Sequence, residues 1–242
     1  MTGAQQTRHL RSAIAGLIGF AASEEQVLLA ASPADRPGSP SLWAAAPLVA
    51  HNTEFKAQQV QRLQAIALGL VPEEFAEVDH ASGQLYAAYA AKPADQVAAD
   101  SNRVSGELIA GLAGASSDDL LDPSRNPWLN GRHLWLQIVV RGFWHPTGHL
   151  ADYYLARSQP ERAVALAAHG LATADYLRAP DEARGMAAYN VACAQAKASL
   201  LDEAADSVRQ TLSLNPGLRG KIGTEPDLAA LRDGGHLASM LA

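Results

Sequence analysis

The chain has 242 residues, enough for one large domain or two small ones. An apolar fraction of 48% with 18% charged residues is that of a globular chain, and a net charge of −6 argues against nucleic acid or anionic membrane as partners. The single cysteine, Cys193, excludes an intrachain disulfide and suits a reducing compartment.

Arg8, His9 and Arg11 ahead of the apolar residues 13–22 mimic a short signal peptide. Leu10, Ile14, Leu17, Ala21 and Leu28 nevertheless recur at helical spacing past Glu24 and Glu25, which predicts a first helix over roughly 5–31. No run reads as long enough to cross a membrane, and the expected location is cytoplasmic. The breakers at 32–40 form a loop.

A second helix is predicted from about Ser41, with Leu48, His51, Phe55, Leu63, Ile66 and Leu70 on one face and Lys56 and Arg62 on a charged side. Two readings of His51 stand. It is a hydrogen-bonded core histidine, or it faces other ligands, because a buried ring nitrogen left unpaired costs about 1–3 kcal/mol. Weaker helices are expected over 73–92, where His80 reads as exposed. A third long helix follows over about 93–113, with Val97, Val104, Leu108 and Leu112 on its face. In the connector 114–127, Asp118, Asp119 and Asp122 read as caps and loop acids.

The fourth helix, over about 130–157, carries the chemistry. His145 and His149 lie four residues apart, so both rings project from one face and can share an ion. Pro146 clashes with the carbonyl four residues back, that of Gly142, so a kink or a fresh helix start is expected there. Trp128, Trp135, Trp144, Phe143, Tyr153 and Tyr154 concentrate nearby. Such rings form a core or, as proposed for Trp135 and Trp144, wall a small-molecule pocket. Asp152 can orient a histidine ring or be a plain surface acid.

No strand pattern occurs, so the fold class is all-α, with an up-down bundle of four main helices over 1–157. His51 together with His145 and His149 would hold a divalent metal, zinc or alternatively nickel, with a coordination position left open. From residue 158 to 242 the texture changes to helical hairpins. Taking Ala204 as the small anchor of a second helix, Val208, Thr211 and Pro216 follow in the tetratricopeptide order. Residues 183–194 read as the small-residue helix packed before it, with Cys193 a small core residue, and 225–232 as a terminal cap.

Trp43 and Pro47-Leu-Val-Ala-His51, together with Trp144-His145-Pro-Thr-Gly-His149-Leu150, carry a family resemblance. Residues 5–157 resemble the DinB-like four-helix bundle superfamily, and within it the DUF1706 (ClbS-like) group. Residues 160–242 resemble the tetratricopeptide-like tail fused to some of these bundles. The resemblance implies metal ligands at His51, His145 and His149, whereas Leu150-Ala151 depart from the usual Gly-Gln. It also implies two activities for a detoxification or resistance enzyme: transfer of a low-molecular-weight thiol to an electrophile, or hydrolysis of a reactive small molecule. In either, the metal would make a water or an external thiol an anionic nucleophile. The contrasting reading is a non-catalytic protein that sequesters a small molecule and uses its repeat tail to bind a protein partner or a second copy.

Overall fold

The computed structural model describes residues 3–31, 43–73, 89, 90 and 92–241. Among these residues there are helices and turns but no strand, so the protein is all-α. The expected loop at 32–40 and most of the weak helical stretch at 73–92 lie outside the described residues. The chain falls into two compact units, Met1–Pro146 and Thr147–Ala242.

In the first unit, α1 runs Gly3–Ala31 and buries one continuous stripe. Leu10, Ala13, Ile14, Leu17, Ile18, Ala21 and Leu28 are buried at the spacing of a single helix face. By length and composition alone α1 is long and apolar enough to cross a membrane, which corrects the expectation that no run suffices, and the same stretch is 44% buried within the protein. It also places the carboxylate of Glu25 in the core, fully buried.

Helix α2 spans Ala45–Ala67, with Pro47 tolerated in its first turn. It ends earlier than the periodicity suggested. Gly69 takes the left-handed conformation at φ 71°, which stops the helix, and Leu70 is left outside it at 60% exposure. The supposed charged side of α2 is also corrected. Lys56 is fully buried and Arg62 is 7% exposed. The Lys56 ammonium lies 2.7 Å from Glu25 Oε2 and 3.0 Å from Ser105 Oγ, and Ser101 donates to the same carboxylate oxygen at 2.6 Å.

Those serines come from α3, Ala94–Gly114, which packs along both α1 and α2. Its buried face holds Val97, Val104, Leu108 and Leu112 as expected, with Ser101 and Ser105 set between them. A short helix, α4 (Ser117–Leu121), opens with a capping box in which the side chains of Ser116 and Asp119 each accept from the other's backbone N–H. Asp122 accepts from the Ser124 N–H and hydroxyl, and these bonds hold its carboxyl below the usual range. Asp119 and Asp122 are thus caps, while Asp118 lies in the first turn of α4.

The last long helical segment starts at α5, Leu134–Val139, after left-handed Asn130 and Gly131. A π turn follows over Val140–Trp144, in which the His145 N–H reaches back to the Val140 carbonyl. Helix α6, His145–Ala156, then begins with Pro146 in its first turn. The missing N–H and the bulk of the proline ring are absorbed by the wider turn before it. Gly142 lets this turn press on the core, because a Cβ there would stand 2.7 Å from Ile18 Cγ1 and 3.1 Å from Leu108 Cδ2.

In the second unit, α7 (Pro160–Tyr176), α8 (Asp181–Lys197) and α9 (Leu201–Leu214) pack in succession, with α8 against both others. Small residues set the closeness. Ala183, Ala188, Ala192 and Ala204 have no exposed surface, and a Cβ on Gly185 would fall 2.5 Å from Asn215 Cβ. Residues 225–232 fold as a 3-10 turn and α11 (Ala229–Asp233), preceded by α10 (Arg219–Thr224), and bury Leu228 and Leu231. Helix α12, Ala238–Leu241, ends the described chain.

Candidate metal centre

His51 leaves α2 in its second turn and is 2% exposed. Aromatic rings enclose it: Trp43 edge-on at 5.4 Å between centroids, Phe55 at 4.7 Å and Tyr89 at 6.1 Å. His145 approaches from the far end of the chain, and the Nε2 atoms of His51 and His145 lie 3.2 Å apart. Without an ion, one ring must carry its proton on Nε2 and the other must not, since two N–H groups pointed at each other repel. His149 follows one turn later on α6, so the helix itself fixes it beside His145.

The ligand nitrogens of His51, His145 and His149 all lie within 4.8 Å of one another. Two nitrogens bonded to one tetrahedral ion at about 2.0–2.1 Å stand about 3.3 Å apart. The His51–His145 separation is already of that size. The donor chemistry also fits a borderline ion: three imidazoles, with no carboxylate or thiolate in the group among the described residues. His51 is buried while His145 and His149 are half-buried, so the cluster meets solvent on the α6 side.

His145 also stacks on Phe55, with centroids 4.5 Å apart and planes at 29°. The Arg141 guanidinium carbon stands 4.5 Å from the centre of the same ring. Phe55 reads from sequence only as part of the apolar face shared with His51, and neither Tyr89 nor Arg141 reads as a site residue. Phe55 sits at His51 plus four and Arg141 at His145 minus four, so helical spacing carried a signal for both. Tyr89 had none. Burial and, after it, the nearby Glu54 push its phenol up to about 12.

The other expected site residues are placed as follows. Trp135 is buried and stacks on His133, with centroids 6.3 Å apart. Trp144 closes the π turn, half-buried. Asp152 gives its carboxylate to Lys197 Nζ at 2.7 Å, and the same ammonium lies 2.8 Å from Asp227. Cys193 is a free, half-buried thiol. Burial first, then Asp227 and Glu225, push it up to about 12, so it stays protonated at neutral pH.

Comparison with protein-family models, with curated proteins and with solved structures gives no match for this chain.

Proposed function

We propose that the protein is a metal-dependent enzyme acting on a reactive small molecule, either as a thiol S-transferase or as a hydrolase. The observation that carries this reading is the convergence of three imidazoles from two distant segments within 4.8 Å. His51, His145 and His149 would hold the ion, zinc by preference and nickel as the alternative. When bound, a divalent ion supplies Lewis acidity that converts water or a small external thiol into an anionic nucleophile near neutral pH. The chain contributes the rest. Trp43, Phe55 and Tyr89 keep water from the buried side of the cluster and fix the His51 ring, and the α6 backbone holds His145 and His149 in register.

The finer fold assignment belongs to the same proposal. Residues 1–157 are read as a DinB-like four-helix bundle, supported by four long helical segments and by the places of the three histidines. Residues 158–242 are read as a tetratricopeptide-like tail, supported by buried Ala204, Val208 and Thr211 along α9 and by the close approach at Gly185. The tail is the part that would take a protein partner or a second copy. A cytoplasmic setting suits the lone protonated thiol.

Turnover of an electrophile panel, with water alone and with added low-molecular-weight thiols, tests the activity. His149→Ala abolishes it while the helical circular dichroism spectrum is unchanged, and Cys193→Ser leaves it intact. Loss of activity in Cys193→Ser with retention in His149→Ala would move the chemistry to the tail.

A further inference from the structure

Between α2 and α3 lies a cavity of about 110 Å³ that none of the three histidines lines. Its floor follows from spacing. Ala50, Thr53 and Ala57 recur at helical spacing on one face of α2, and Val97 and Val104 stand two turns apart on α3. The short side chains of Ala50 and Ala57 leave this part of the seam unfilled. Ala50, Thr53, Val97 and Val104 are buried, and the Thr53 hydroxyl donates to the Val49 carbonyl at 2.7 Å. That bond spends the hydroxyl proton and leaves the oxygen as an acceptor.

Charge then sets the class of ligand. Glu54, Lys92, Asp100 and Arg103 also line the cavity. Two of these are taken up: the Arg103 guanidinium lies 3.1 Å from Asp100 and 2.9 Å from Glu107. Glu54 and Lys92 carry opposite charges, and among the described residues neither has an ion-pair or hydrogen-bond partner. Lys92 Nζ stands 5.7 Å from the centre of the Tyr89 ring, and the charge of Glu54 acts on the phenol of the same residue. Contact with a ring face leaves the three N–H groups of an ammonium able to donate. Both residues are exposed, so a ligand reaches them from solvent.

An acid and a base left over at one small cavity match a molecule that carries both charges. A ligand with a single charge would meet one partner and one like charge. The volume admits only a few heavy atoms. We propose that this cavity binds a small zwitterionic amino acid, its ammonium on Glu54 and its carboxylate on Lys92. The site is separate from the histidine cluster and does not rest on the metal-centre reading above.

The test is NMR titration of the full-length, tag-free, isotopically labelled protein with glycine, β-alanine and γ-aminobutyrate, whose two charges stand at increasing separations. Acetate, propionate and butyrate are the counterparts without the ammonium. Methylamine, ethylamine and propylamine are those without the carboxylate. At least one zwitterion should shift the backbone amides of Thr53, Ala57 and Val104 and bind about tenfold or more tighter than either of its counterparts. Glu54→Gln should erase the preference over the carboxylate-only counterpart, and Lys92→Gln the preference over the amine. Binding of no zwitterion, equal binding of a singly charged counterpart, or an unchanged preference in either variant overturns the proposal. So do shifts confined to His51, His145 and His149, which would put the ligand at the histidine cluster instead.

Discussion

His51 and His145 set their Nε2 atoms 3.2 Å apart although 94 residues of chain separate them. Nothing local to either helix produces that meeting. It depends on a π turn that delivers His145 to the buried ring on α2, and on Phe55, which packs against both imidazoles. Removing one member should therefore be felt at the others. His51→Ala is expected to lower zinc affinity by more than about 100-fold, beyond the cost of losing a group that only orients a ligand. Competition against a chelator of known affinity measures it. An affinity within a few-fold of wild type would show that His51 is a core residue only.

The Lys56–Glu25 pair is fully buried. Breaking one side of such a pair leaves an uncompensated charge in the core. Lys56→Met is expected to destabilise the protein by about 3–5 kcal/mol, whereas Lys56→Met with Glu25→Leu should recover most of that loss. Urea unfolding of both variants checks the prediction. A double variant no more stable than the single one contradicts it.

Gly142 is the contact point of the π turn with the core. Gly142→Ala drives a methyl group toward Ile18 and Leu108 and should cost about 1–3 kcal/mol. If the clash is the cause, Ile18→Ala in the same chain costs less than it does in the wild type. A thermodynamic cycle by chemical denaturation gives the coupling, and strict additivity would rule the contact out.

Cys193 is held up to about 12, first by burial and then by Asp227 and Glu225. A thiol raised in the folded state favours folding below its unfolded value, and that contribution is lost as pH rises toward the folded value. Native protein should therefore resist iodoacetamide at pH 8 and react once urea unfolds it. Its stability should also fall through the alkaline range between about 8.5 and 12. Rapid alkylation of folded protein at pH 8, followed by mass spectrometry, would refute this.

Much of the fold was legible in the chain, because buried residues at helical spacing need only one face each. The stripe on α1, the face of α3 and the caps at Asp119 and Asp122 all follow from local chemistry. The pairing of His145 with His149 follows too, since a helix fixes residues four apart. Pro146 and Gly142 announced the break between α5 and α6. The burial of Lys56 was not legible. A lysine reads as surface until its partners are known, and Glu25, Ser101 and Ser105 lie on other helices. The end of α2 was misplaced because Leu70 continues the apolar period, while the left-handed Gly69 before it turns the chain away. Tyr89 and Trp43 reach His51 only through tertiary packing, so no spacing points to them. Asp152 offered a carboxylate at helical reach of His149, and Lys197 on α8 takes it up.

The central claim is that the three histidines form one metal centre, and elemental analysis tests it most directly. Tag-free protein, incubated with zinc and then desalted, should retain one equivalent per chain, while His149→Ala with unchanged helical content retains almost none. Equal metal content in the two proteins, or none in the wild type, would contradict the account.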